Sequence, residues 1–243
     1  MENISIKAQE IFEIGGFGIT NSLILTLIVS FILIFSSFLI RSRIRIIPGK
    51  FQSAMEMSME WLLDLIGSTI GSKKRLENYF PIVATIFVFI LTANLLGLFP
   101  GIGSLFFEKS GHKIPLLRSP AADLNFTIAF ALISVVSTNI FGMMAVGFMP
   151  HIKKFLNFKN PILFFIGILE FVSEIAKIIS LSFRLFGNVF AGEVLLMIIF
   201  FLVPYFIPLP FLILEFFVGL IQAFLFAMLT LVSIALHTAT HEH

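Results

Sequence analysis

An arginine stands in the middle of an apolar run from Ile162 to Val203, inside the stretch Lys177-Ile-Ile-Ser-Leu-Ser-Phe-Arg184-Leu-Phe-Gly-Asn188-Val-Phe-Ala-Gly-Glu193. Arg stays protonated and cannot escape burial by losing its charge. At the centre of a membrane helix it costs roughly 2.5–3.5 kcal/mol on insertion scales, so a compensating group or water is required. At the helical period Glu170, Ser173, Glu174, Lys177, Ser180, Arg184, Asn188 and Ala191 share one stripe. Lys177 has Glu174 three residues before it, a spacing that allows a local ion pair. Arg184 has only Ser180, Leu181, Gly187 and Asn188 at those spacings. Glu193 lies nearly on the opposite face of a straight helix. The stripe predicts that the partner of Arg184 comes from another helix or another chain.

A second group with possible chemistry is the pair Glu193 and Glu215. Their segments are joined by a proline-rich turn near residues 203–210. In two antiparallel helices joined there, Arg184 pairs with Gln222 and Glu193 with Glu215, nearly symmetrically about Val203, to within one helical turn. Burial and mutual repulsion make two neighbouring membrane carboxylates costly to ionise together. Groups able to hold and release protons inside a bilayer mark ion pathways. A fixed cation such as Arg184 cannot relay a proton, but it attracts a carboxylate and favours its ionised form. The competing reading is a static polar network between helices. Six ionisable residues, Glu170, Glu174, Lys177, Arg184, Glu193 and Glu215, are many for that role alone.

The composition fits this setting. Of 243 residues, 58% are hydrophobic and 12% charged, with a mean hydropathy of +1.05. Soluble domains carry about 25% charged residues, so the chain is expected to be an all-α integral membrane protein. It has no cysteine, which excludes disulfides and thiolate metal sites. A formal net charge of +2 is too small to argue for nucleic acid. Residues 1–20 lack a basic stretch followed by an apolar core, so no cleavable signal peptide is expected.

A single membrane domain over 1–243 is expected, with about five membrane helices at 21–40, 80–98, 123–146, 161–202 and 211–237, after an N-terminal segment over 1–20. Residues 51–70 carry Glu56, Glu60 and Asp64 on one face, with Met55, Met59, Leu62, Leu63 and Ile66 opposite. They predict an amphipathic helix, lying at the interface or packed on another helix. Residues 99–121 and 147–160 are expected to be loops, the latter a basic connection with Lys153, Lys154 and Lys159. Asp123 stands where a helix cap belongs. The segment over 161–202 would be about 60 Å long if helical, twice the thickness of the hydrocarbon core. It must be strongly tilted, or broken near Gly187 and Gly192. With the following helix it makes a tilted hairpin. Trp61 and Tyr79 fit interfacial anchoring. His237, His241 and His243 are expected to be exposed tail residues without a specific ligand, and no metal site is expected. Loops 41–79 and 147–160 hold most of the loop Lys and Arg, which places them and the C-terminus in the cytoplasm.

The stretch Ser180-Leu-Ser-Phe-Arg184-Leu-Phe-Gly-Asn188-Val-Phe-Ala-Gly-Glu193 resembles the signature of subunit a of the F-type ATP synthase, in its bacterial and plastid form. Gly219-Leu-Ile-Gln222-Ala-Phe-Leu-Phe226 is similar to that family's last helix, Asn94-Leu-Leu-Gly-Leu-Phe-Pro100 to its second, and Pro120-Ala-Ala-Asp123-Leu-Asn125 to the start of its third. Together these cover about residues 21–238. The resemblance implies that Arg184 is the essential arginine facing the carboxylate of a rotating c-ring. It implies that Glu193, Glu215, Gln222 and Asn188 lie at or near aqueous half-channels and that Asn94, Asp123 and Asn125 line polar access routes. It puts Glu170, Ser173, Lys177 and Ser180 toward the cytoplasmic side. Some bacterial members carry His where this chain has Glu215, so the carboxylate pair is a variant of the relay.

The function implied is a proton-channel stator subunit that couples proton (or Na⁺) flow to c-ring rotation and ATP synthesis, not catalytic alone and without a cofactor. The implied partners are c-ring proteolipids, peripheral-stalk b subunits and membrane lipid. The implied location is the bacterial plasma (inner) membrane, with an organelle inner or thylakoid membrane as the other option. The rival functions are a self-contained secondary ion transporter, weakened by the lack of an internal repeat, and a non-catalytic membrane anchor, which would leave the buried charges unexplained.

Overall fold

The computed structural model describes residues 8–15, 17–44, 48–70, 73–99, 106–109, 112–155, 161–203 and 206–239. Five helices are long and apolar enough to cross a membrane: α1 (Asn21–Arg43), α3 (Lys73–Gly97), α4 (Leu124–Val146), α6 (Pro161–Leu202) and α7 (Pro208–Ala239). Helix α2 (Lys50–Ile70) precedes α3, and the short α5 (Phe148–Phe155) follows α4. The architecture is thus the expected helical membrane fold, its last two long helices forming a hairpin.

Two small antiparallel hairpins accompany the helices. Strands β1 (Glu10–Ile14) and β2 (Phe17–Thr20) pair with Glu10 opposite Thr20 and a register shift between Glu10 and Phe12. Gly15, at φ 60°, makes the turn, a conformation that costs glycine little. Thr20 then caps α1 by accepting from Leu23 N–H at 3.3 Å. Strands β3 (Phe106–Lys109) and β4 (His112–Pro115) form the second hairpin, in the stretch expected to be a loop. Backbone pairing lets such a short segment satisfy its own donors and acceptors. A single 3₁₀ turn over Pro120–Ala122 delivers Asp123 to the start of α4.

The helix bounds differ from the expected ones in physically simple ways. Helix α3 begins at Lys73, well before the apolar run, and carries Pro81 inside it. Helix α7 begins at Pro208, where proline's fixed φ suits a first turn. Helix α6 is one unbroken helix of 42 residues, so neither Gly187 nor Gly192 interrupts it. At about 63 Å it must tilt or protrude to fit a core of ~30 Å. The stretch expected to be a basic connection contains α5. Gly147, at φ 96°, ends α4 before it, and a side chain there would be strained. The side chains of Lys153, Lys154 and Lys159, and all of His241 and His243, lie outside the described residues.

Helices in lipid gain little from hydrophobic expulsion and associate through close packing of small residues. That is visible here: Ala93, Ala121, Ala122, Ala131 and Ala223 are fully buried among Val29, Ile90, Leu185 and Phe226. A second cluster joins Tyr79, Val83 and Ala84 of α3 to Ala227, Leu231 and Ile234 of α7. Tyr79 is therefore a core residue, with its ring edge-on to Phe141 at 5.0 Å, and not an interfacial anchor. Trp61 is exposed, 6.1 Å from Phe224. Helix α2 packs on α3 and α7 while Glu56, Glu60 and Asp64 stay exposed.

Candidate functional site

The predicted residues fall into three groups along α6. Nearest the α6–α7 turn, Glu215 of α7 is buried against Gly192 of α6. Glu193 is the next residue of α6 after Gly192. The hairpin thus brings Glu215 against the residue that precedes Glu193, in the register that distance to the turn predicts. Gly192 makes this possible, since a Cβ at that position would overlap the Glu215 carboxylate. Glu193 also accepts from Arg118 Nε at 3.4 Å. The Arg118 guanidinium lies 5.7 Å from the Phe190 ring centroid, in a cation–π arrangement. No local pattern points to Arg118, because it is 75 residues from Glu193 and reaches it from the segment before α4.

Asn94 of α3 sits one turn from Glu215 along α7. Its Nδ2 donates to the Gly219 carbonyl at 2.9 Å, and a Cβ on Gly219 would crowd Asn94 Cβ at 3.1 Å. Its Oδ1 is buried with no hydrogen bond from the described residues. A buried acceptor of this kind calls for a donor such as water or a protonated carboxyl. Asp123 is engaged on both oxygens. Oδ1 caps α4 by accepting from Asn125 N–H at 3.0 Å, and Oδ2 accepts from Ser22 Oγ of α1. Asn125 itself is exposed. Asp123→Ala is expected to destabilise the chain by about 1–2 kcal/mol, the usual worth of a cap. Asp123→Asn, which can still accept, should recover most of that. Thermal unfolding of both variants in detergent checks it.

The middle group is Arg184 with Ser180, Gly187, Asn188 and Ala191, all exposed on one face of α6. Arg184 Nη2 donates to Ser180 Oγ at 3.3 Å, and among the described residues it meets no carboxylate. Gln222 is half-buried and makes no hydrogen bond to Arg184. Its neighbours Ala223 and Phe226 share the buried cluster with Leu181, Leu185 and Val189. The expectation that nothing in its own helix neutralises Arg184 therefore holds, and no other helix of this chain does so either among the described residues.

The third group lies on the far side of Arg184. Lys177 Nζ donates to Glu174 Oε1 at 2.5 Å, the local pair expected from spacing. Glu174 is buried and also accepts from Asn139 Nδ2 of α4 at 3.4 Å. His237 Nε2 lies 3.1 Å from Glu174 Oε1 and 3.8 Å from Glu170 Oε1. His151 of α5 meets Asn139 Oδ1 at 3.1 Å. Ser173 is exposed. Nine residues separate Arg184 from Glu193 and ten separate it from Glu174, about 14 and 15 Å at the helical rise. A bare arginine thus stands midway between two acidic groups.

Comparison with known proteins places the chain in a family. The family model described as ATP synthase A chain matches residues 22–235. The chain belongs to this family. It is 34% identical over 230 residues to the ATP synthase subunit a of Moorella thermoacetica, covering 95% of this chain and 96% of that one. It is 35% identical over 201 residues to the ATP synthase subunit a of Campylobacter jejuni, covering 82% and 81%. The ATP synthase subunit a 3 of Pelobacter propionicus is 35% identical over 205 residues, covering 84% and 81%. Family membership and five membrane-length helices together make this a multi-pass membrane protein.

Proposed function

We propose that this chain is the stationary ion-channel subunit of an F-type ATP synthase, in the plasma membrane of a bacterium. It couples proton flow, or Na⁺ flow, to rotation of a c-ring and has no catalysis of its own. The observation that carries the reading is Arg184, exposed on α6, without a carboxylate from this chain among the described residues, between two acidic groups. A lone cation on a membrane helix face is costly without a partner. A carboxylate carried past on a ring of proteolipid helices would supply one. The exposed face around Arg184, with Ser180, Gly187 and Ala191, has the small side chains that let another helix approach.

In this mechanism Glu193, Glu215, Asn94 and Gln222 belong to one half-channel, with Asp123, Asn125 and Asn188 near its walls. Glu170, Ser173, Lys177 and Ser180 belong to the other. A proton entering one side passes to the ring carboxylate. The neutral carboxyl turns into lipid and returns to the opposite half-channel, where it releases the proton. The ionised carboxylate then crosses the Arg184 face as a charge-assisted pair. Arg184 stays charged throughout, so no proton crosses directly between the half-channels. Peripheral-stalk b subunits would hold this chain against the torque.

Changing either Glu193 or Glu215 to Leu is expected to slow proton-driven ATP synthesis without preventing assembly. Synthesis rate against the amount of assembled complex is the measurement. Unchanged synthesis in both variants would leave the pair a structural network. In the proposed orientation, single cysteines near Lys153 and near His243 should label only from the cytoplasmic side. Labelling of either from outside would overturn it.

A further inference from the structure

We propose that Arg118 is a positioning residue of the ion pathway, a second fixed cation that holds the Glu193 carboxylate in place for proton transfer. The inference rests on the channel reading of Glu193 given above. Arg118 Nε donates to Glu193 Oε2 at 3.4 Å, and the guanidinium lies 5.7 Å from the Phe190 ring centroid. Phe190 and Glu193 are three residues apart on α6 and share a face of that helix. Phe190 is itself stacked on Phe186, with ring centroids 5.4 Å apart and 10° between the planes. The guanidinium thus meets a ring and a carboxylate of the helix that also carries Arg184.

Arg118 arrives there on a segment fastened at both ends. Asn21 and Ser22, consecutive residues at the start of α1, are each 1% exposed. Asn21 Nδ2 donates to the Pro115 carbonyl at 3.3 Å, before Arg118 in the chain. Ser22 Oγ donates to Asp123 Oδ2, after it. Between these two ties Ser119 packs on Gly97 of α3, where a Cβ would meet its Oγ at 2.5 Å. Pro120, Ala121 and Ala122 are buried in the 3₁₀ turn, which packs on α1, α3, α4 and α6. A side chain that must orient another acts well only when its own surroundings fix it. Here α1 and α3 fix the segment, and α6 presents the carboxylate.

The two partners are unequally covered. The Arg118 side chain is 10% exposed and that of Glu193 32%. The cation is enclosed, while the carboxylate stays within reach of a proton donor. A pair that served only to join the segment to α6 would gain from covering both charges, since exposure to lipid is costly for either. Arginine keeps all its protons even in low dielectric. The pair therefore changes charge only through Glu193, where an O–H bond forms or breaks. Ionised, the carboxylate is held by a charge-assisted hydrogen bond; protonated, it is held less firmly. The arrangement complements that at Arg184, which meets no carboxylate of this chain among the described residues. Arg184 takes its partner from outside the chain, and Arg118 holds one that the chain supplies.

The test is a double-mutant cycle in the assembled synthase, with Arg118→Gln and Glu193→Gln made singly and together. Proton-driven synthesis is normalised to assembled complex. Arg118→Gln is expected to lower synthesis at least ~10-fold in the parent, and less than ~2-fold further where Glu193 is already Gln. Arg118→Lys keeps a cation able to reach the carboxylate and the Phe190 face, and should work well above Arg118→Gln. Arg118→Met keeps bulk without charge and should not. A merely structural Arg118 would cost the same in both backgrounds and be replaced by Met as well as by Lys. Equal losses in the two backgrounds, Met matching Lys, or a parental rate in Arg118→Gln would each overturn the proposal. The same cycle read by thermal unfolding of the full-length chain in detergent needs no proton flux. There Arg118→Gln should lower the melting temperature more in the parent than in Glu193→Gln, and additive effects would overturn the pairing itself. Full synthesis in Glu193→Gln is a different failure: it would overturn the channel reading of Glu193, and the proposal with it.

Discussion

Arg184→Lys is expected to abolish proton-driven ATP synthesis while the chain still assembles. The substitution keeps a cation of nearly the same reach. It loses a planar fork able to hold a carboxylate through two parallel hydrogen bonds, and a charge that persists in low dielectric. A lysine ammonium deprotonates readily on burial. The group at this position must be cationic on every pass of the ring. Within this chain, among the described residues, its one hydrogen-bond partner is the Ser180 hydroxyl, at 3.3 Å, so no carboxylate on α6 would hold a lysine in its charged form. Arg184→Ala should go further and let protons leak, because a carboxylate meeting no cation has no reason to lose its proton between the half-channels. Both are read from passive proton permeability in membranes stripped of the catalytic head, beside synthesis with the head attached. Normal synthesis in Arg184→Lys with no leak in Arg184→Ala would make Arg184 a structural counter-ion.

Much of this was legible in the sequence, for identifiable reasons. Runs of some twenty apolar residues can only be helices in lipid, where every backbone group must be satisfied internally. The five spans follow from that. The register that sets Glu215 against the residue before Glu193 followed from distance to the proline-rich turn, because two packed antiparallel helices have a fixed rise. The isolation of Arg184 followed from counting charges at i±3 and i±4.

The features that escaped are non-local. Arg118 reaches Glu193 across 75 residues of chain, and no periodicity records such a contact. The hairpin of β1 and β2 left no period-two trace, since Glu10 and Glu13 of Glu10-Ile11-Phe12-Glu13-Ile14 are three residues apart and the register shifts between Glu10 and Phe12. His237 was recoverable. It continues the buried stripe of Ala223, Ala227, Thr230 and Ile234 at spacings of three and four. That pattern argues for one more helical turn into the packed interior and against a free tail. Tyr79 was assigned by residue type, whereas its place four residues before Val83 puts it on the packed face of α3.

Gly192→Ala is expected to lower proton-driven synthesis at least ~10-fold, which corresponds to about 1.4 kcal/mol. Intrinsic preference points the other way, since Ala in a helix interior is favoured over Gly by about 1 kcal/mol. A loss must therefore come from contact. The added Cβ would occupy the space of the Glu215 carboxylate. Either that carboxylate leaves its position, or α6 and α7 part; overpacking of this kind costs roughly 1–3 kcal/mol. Size and charge can be separated by a second change. Gly192→Ala with Glu215→Asp withdraws the carboxylate by one methylene and should recover part of the activity. Gly192→Ala with Glu215→Gln keeps the bulk and should recover none. Synthesis rates of the single and double variants, normalised to assembled complex, give the coupling between the two positions. Full activity in Gly192→Ala alone would mean that Glu215 does not pack on Gly192 in the working complex.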